Sequence, residues 1–281
     1  MIEYYKISTI KVKVYNKAGI DLSRFRLFKI EPSNSTKIYI KISKLNEIKI
    51  KNYEVILKDD IEVIEFSDGK HGSIFYSDEG VPVACLIADS KWENIEINYT
   101  QFYNIGNYSV VEHLFGLAFR SIVIMYDGLV IHSSAIQYHN QGIIFSAPSG
   151  TGKSTHTRLW KKYFDASIIN DDTPVIIPNN DEILVCGTPW SGSTSLFLNV
   201  SVPLKAIVVL SQYPTNEIKK IGIADIIAEL MPRCMFPYHN KKLMNKAIMN
   251  FEKIISSISV YQLKCTPFLE AAELVRSYIK L

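Results

Sequence analysis

One stretch constrains this chain more than any other: the apolar run Gly142–Ala147 leads without a break into Pro148-Ser149-Gly150-Thr151-Gly152-Lys153-Ser154-Thr155. A buried strand that empties into a glycine-rich turn, followed by a helix predicted over 152–163, demands a layered α/β arrangement, because the helix must cover the sheet it has just left. The turn has its own chemistry. Gly150 and Gly152 let backbone N–H groups point inward around an anion, and the helix start adds its positive end. Lys153 supplies a compact charge, and the Ser154 hydroxyl is a magnesium ligand in such loops. Ala147 stands where the full Walker A pattern has its first glycine. Ser149, Gly150, Thr151, Gly152, Lys153, Ser154 and Thr155 are thus the expected phosphate-binding residues, with MgATP as the expected ligand. The plainer alternative is a small-residue turn with an incidental lysine.

The rest of the chain divides at residue 108/109. Residues 1–108 read as a β-rich segment: Ile10, Val12 and Val14 alternate with Lys11 and Lys13, the period of a half-buried strand. Further strands are predicted at 37–42, 53–57, 61–66, 72–76, 80–87 and 94–99. Ser109-Val110-Val111-Glu112 fits a capping box, so a helix is predicted from there to about Tyr126. Two apolar runs, 129–137 and 142–147, flank the polar turn Tyr138-His139-Asn140-Gln141, which predicts an antiparallel hairpin. Strands are expected again at 166–170, 175–177, 183–186, 205–210 and 260–264, and helices at 223–230, 241–255 and 268–279. The fold class expected for residues 109–281 is α/β (mixed α+β), with a sheet of mixed strand direction.

Asp171 and Asp172 close the strand that follows the helix. Carboxylates there resemble a Walker B arrangement, in which one holds magnesium and another takes a proton from an attacking hydroxyl. A strand-ending turn before Pro174 also favours aspartate. His132 lies in the apolar run before the hairpin turn, where a hydrogen-bonded structural histidine and a site residue are both reasonable readings. Gly187–Thr194 is a second small-residue loop, either lining an acceptor site or connecting elements with Trp190 as its anchor. Arg233 can serve developing phosphate charge, but reads first as a surface cation.

Composition removes several classes. A net charge of +3, with lysine pairs scattered along 281 residues, gives no nucleic-acid footprint. The four cysteines lie far apart without a CxxC pair, which suits reduced thiols better than zinc. Glu3 and Lys6 interrupt any hydrophobic start, and Arg120 and Asp127 break the longest apolar tract, so the expectation is a cytoplasmic protein with neither leader nor membrane span.

Taken in order, His132, Ser149–Thr155 and Asp171-Asp172 resemble the catalytic domain of HPr kinase/phosphorylase, which shares its nucleotide-binding fold with phosphoenolpyruvate carboxykinase. The HSSA segment His132–Ala135, the GTPWSG segment Gly187–Gly192 and Tyr261–Cys265 are similar to the small HPr-kinase-like proteins of peptide-modification clusters. The resemblance implies a P-loop kinase that moves the γ-phosphoryl group of ATP to a hydroxyl, first of all a serine of a peptide or small protein. A small molecule is the rival acceptor, and a non-catalytic ATP-binding module the rival class. It also implies roles: Asp171 as the catalytic aspartate, Asp172 and Ser154 at magnesium, and His132 and Lys153 beside them.

Overall fold

The structure, a computed structural model, describes residues 1–59, 61–192 and 194–280. Ser193, in the second small-residue loop, therefore lies outside the described residues, as does Leu281. The chain forms two compact units, Met1–Met125 with Pro237–Met244, and Tyr126–Phe236 with Asn245–Leu281.

The first unit is built on nine strands: β1 (Ile2–Ile7), β2 (Ile10–Asn16), β3 (Lys29–Ile30), β4 (Ile38–Lys44), β5 (Tyr53–Lys58), β6 (Ile61–Phe66), β7 (His71–Tyr76), β8 (Pro82–Ala88) and β9 (Asn94–Tyr99). They lie in the order β3-β1-β2-β4-β9-β8-β7-β6-β5. Only β2/β4 and β4/β9 run parallel. A short pair, β10 (Asn104–Ile105) and β11 (Tyr108–Ser109), leads into helix α1 (Val110–Met125). The capping box forms as its residues require: the Ser109 N–H donates to Glu112 Oε2 (2.8 Å), and the Glu112 N–H donates to Ser109 Oγ (3.2 Å). This unit extends past the boundary expected at 108/109. The reason is apolar: α1 lies on β8 and β9, and Phe115 stacks on Phe25 with ring centres 4.8 Å apart.

The second unit carries a mixed α/β sheet. Its strands are β12 (Leu129–Val130), β13 (Ser133–Tyr138), β14 (Gln141–Ser146), β15 (Ser167–Asn170), β16 (Val175–Asn179), β17 (Glu182–Cys186), β18 (Ser201–Gln212), β19 (Glu217–Lys220) and β20 (Ser259–Cys265). The path runs β12-β16-β17-β18-β14-β13-β15, and β20 pairs with both β18 and β19. β14 is antiparallel to β13 and parallel to β18, which is parallel to β20 in turn. The β13–β14 hairpin closes through His139 and Asn140, both at positive φ, the conformation that matches strand twist in tight hairpins. Helices α2 (Lys153–Phe164), α3 (Ile223–Leu230) and α5 (Leu269–Tyr278) belong to this unit, as does α4 (Lys241–Ser257) from Asn245 onward. α2 packs on β13, β14 and α5, with fully buried Trp160 at the centre of a core that includes Phe145, Ala147, Val208 and Val275. Ala147 thereby explains itself: its methyl group fills core space where the usual loop has glycine.

One predicted element divides. The run expected as a single strand over 129–137 breaks at Ile131-His132 into β12 and β13. Ile131 bridges to Cys234, and the His132 N–H donates to the Arg233 carbonyl (2.8 Å), so a distant segment pulls the backbone off the strand path.

Candidate functional site

The sheet gathers five strand ends at one rim. Ser133, at the start of β13, faces Ser146, at the end of β14; Ala135 faces Asn170, at the end of β15. On the other side Ser146 faces Val209 of β18, and Gln212 faces Cys265 of β20. The loop from β14 to α2 sits in the middle of this rim. Gly150 and Gly152 hold φ of 77° and 110°, which side-chain-bearing residues rarely adopt, and Gly152 caps α2. α2 therefore begins at Lys153 with its free N–H groups facing the loop.

Lys153 is 8% exposed. Its Nζ donates to the Ala147 carbonyl and lies within hydrogen-bond reach of His132 Nε2, both at 3.0 Å. His132 Nδ1 in turn lies 3.1 Å from Asp172 Oδ1. His132 thus stands between the Lys153 ammonium on its Nε2 side and the Asp172 carboxylate on its Nδ1 side. Burial lowers the Lys153 pKa; Asp172 opposes that shift and the Arg233 charge adds to it.

Asp171 is 7% exposed, and the Gly192 N–H donates to its Oδ1 at 2.8 Å. Burial holds its carboxyl above the usual carboxylate range; the Gly192 N–H pulls back, and the neighbouring Asp172 pushes further up. The two aspartates are carried by the HSSA segment: the Ser133 N–H donates to the Asp172 carbonyl (2.9 Å) and Ser134 Oγ to the Asp171 carbonyl (3.1 Å).

The expected residues come together. His132, Ser149, Gly150, Gly152, Lys153, Ser154, Thr155, Asp171 and Asp172 line one recess of about 350 Å³, and Gly192 joins them. Thr151 stands apart from that group and lines an adjacent recess. The second small-residue loop meets the site at Gly192, whose backbone N–H lies against Asp171. Among the described residues no cluster of three His, Cys, Asp or Glu side chains is arranged to hold a metal ion.

Two residues carry more than their sequence context indicated. Arg233 is not the surface cation it first reads as. It is half-buried, its carbonyl holds His132, and its Nε is buried without a hydrogen-bond partner among the described residues. Asn170 went unremarked and is the hub of the aspartate turn. Its Oδ1 accepts the N–H groups of Asp172 (2.9 Å) and Thr173 (2.7 Å). Its Nδ2 donates to the carbonyls of Trp190 (2.7 Å) and Thr188 (3.1 Å). An asparagine just before Asp-Asp is the available signal, since its side chain closes turns onto backbone two residues ahead.

The sequence profile of the family described as "SynChlorMet cassette protein ScmC" matches residues 109–266, more than half of the chain. No curated protein matches. Among solved structures, that of the Hpr(Ser) kinase/phosphatase from Coxiella burnetii is 10% identical, over 54% of this chain and 88% of that one, with a TM-score of 0.31. A likeness of that size carries no weight for fold or function.

Proposed function

The chain belongs to the family of SynChlorMet cassette protein ScmC, and from that premise we propose an ATP-dependent kinase that moves the γ-phosphoryl group of ATP onto a hydroxyl. The observation that carries this reading is the shared recess, in which a buried lysine at a helix N-terminus reaches Asp172 through His132 and Asp171 lines the same walls. Phosphoryl transfer needs little covalent help from a protein; it needs charge and position. The glycine-loop N–H groups and Lys153 receive the phosphates. Asp171 orients the acceptor hydroxyl and takes its proton as the new O–P bond forms and the bond to the ADP oxygen breaks. Its raised pKa suits a base that works closer to neutral pH.

The donor set fits magnesium. Ser154, Asp171 and Asp172 line one recess with oxygen donors, the chemistry magnesium prefers. Ser154 and Asp172 would hold it, and when bound it would neutralise charge on the β- and γ-phosphate oxygens. Arg233 brings a second cation to the same neighbourhood, where its charge acts on Lys153.

The acceptor is a serine of a peptide or small protein. The description "cassette protein" supports an acceptor encoded beside the enzyme, and the Gly192 contact with Asp171 supports the 187–194 loop as a wall of the acceptor site. The first test is calorimetry of MgATP on wild type and Lys153→Ala, with folding checked by circular dichroism. Affinity lost in the folded variant supports the reading; equal affinity removes the phosphate assignment. ATP binding with neither hydrolysis nor transfer to co-encoded peptides would favour a non-catalytic nucleotide module.

A further inference from the structure

A second recess, of about 550 Å³, shares Gly150, Gly152 and Thr155 with the first and otherwise has different walls. Thr151 and His156 line it from the loop and α2. Gln212 and Tyr213, at the end of β18, and Thr266 and Pro267, after β20, close the far side. Strand order explains the separation. β13 and β15 place His132 and the aspartates on one side of the loop strand β14; β18 and β20 place this second wall on the other.

The two recesses differ in charge. The first holds Lys153, Asp171 and Asp172, whereas no charged side chain lines the second among the described residues. Its lining mixes apolar Leu210, Pro214 and Pro267 with an aromatic ring and uncharged hydrogen-bonding groups, and its size is ordinary for a small-molecule site. Its walls are also tied down. Gln212 Nε2 donates to the Thr151 carbonyl (3.3 Å), and the Tyr213 N–H donates to the Cys265 carbonyl (3.1 Å). The Thr266 N–H donates to Asn216 Oδ1 (2.8 Å), and Lys264 Nζ rests 4.8 Å from the Tyr213 ring centre.

A nucleotide gripped at its phosphates by this loop would turn its terminal phosphate toward Asp171, which lines the first recess. Its uncharged end would then extend away from the aspartates, to the side of β14 where β18 and β20 lie. We propose that the second recess binds the nucleoside half of the nucleotide, with the Tyr213 ring beside the base and Gln212 and Thr266 as its polar contacts. The inference rests on the kinase reading, and it adds where the base and sugar lie and which residues select them.

The test compares MgATP with magnesium tripolyphosphate, which has the phosphates and no nucleoside, by calorimetry. Wild type is expected to bind MgATP the more tightly. Tyr213→Ala, at a side chain 45% exposed and so tolerant of truncation, should weaken MgATP about tenfold or more, the scale of one lost base–aromatic contact. It should leave tripolyphosphate unchanged, whereas Lys153→Ala should weaken both. Alkylation of Cys265, a free thiol that lines the recess, gives a second reading on unmodified protein, with ATP slowing it and tripolyphosphate leaving it alone. Equal binding of the two ligands, or equal protection of Cys265 by both, overturns the nucleoside assignment alone. Binding of neither ligand overturns the kinase reading and this inference with it.

Discussion

Removing the Asn170 side chain should loosen the aspartate turn more than any single change outside the apolar core. The residue is fully buried, and alanine would strip the Asp172 and Thr173 N–H groups of their acceptor and the Thr188 carbonyl of its amide donor. The Trp190 carbonyl would keep the Thr173 and Thr188 hydroxyls. A buried polar group left unsatisfied costs about 1–3 kcal/mol, so three such groups, with some relaxation, cost about 3–4 kcal/mol. In a chain of this size that corresponds to a Tm lower by about 10 °C. Differential scanning calorimetry and urea midpoints of Asn170→Ala measure the loss. Asn170→Asp should be worse despite its shape, because a carboxylate oxygen would face two carbonyls and stand next to two further carboxylates. An Asn170→Ala Tm within about 2 °C of wild type would refute the reasoning, since the hydrogen bonds would then be carrying almost no stability.

Asp171→Asn should leave ATP affinity near wild type and lower the transfer or hydrolysis rate by about 10²- to 10⁴-fold, while Asp172→Asn should raise the magnesium concentration for half-maximal rate. Because burial raises the Asp171 pKa, wild-type kcat/KM should fall with acidity at a pH above the ordinary carboxylate range, and the pH profile of Asp171→Asn should lack that limb. His156 is held to a pKa of about 4 by burial, against about 6.5 in the unfolded chain. The unfolded state therefore takes up the proton first as pH falls. Urea unfolding should show a loss of about 2 kcal/mol between pH 7 and 5, and the loss should shrink in His156→Gln. Gly187→Ala would put a Cβ 1.8 Å from the Leu198 carbonyl oxygen, so the loop must move; a thermal melt equal to wild type would contradict this close approach.

The parts of the fold that were legible are those whose cause is local. The β14–loop–α2 unit, the Ser109/Glu112 cap and the hairpin turn at His139-Asn140 are each fixed by neighbours within a few residues, so period and turn chemistry suffice to place them. The break between β12 and β13 is different. Ile131 continues the apolar pattern, and only the Arg233-Cys234 segment, remote in sequence, draws His132 off the strand. Arg233 was hidden for the same reason, since half-burial of a lone arginine between Pro232 and Cys234 leaves no periodic trace. β18 spans Ser201–Gln212 where the expected strand covered only 205–210, because its first residues pair with β17 across Pro203, a residue that argues locally against a strand. The residues expected at the site were recognisable by type; the partners that hold them, Asn170 and the Gly192 N–H, depend on contacts between segments.

Lys153 has a further consequence for how affinity and folding trade against each other. A free lysine side chain gives up about 1.5–2 kcal/mol of rotamer freedom when it is fixed on a ligand. Here that freedom is already gone: the chain is buried, and two of the three ammonium donors are directed to Ala147 and His132. The ordering has been charged to folding, and an arriving phosphate meets a cation that need not be recruited. A His132 variant that releases the ammonium should thus gain motion at the lysine and lose phosphate affinity together, even where its melting temperature does not fall.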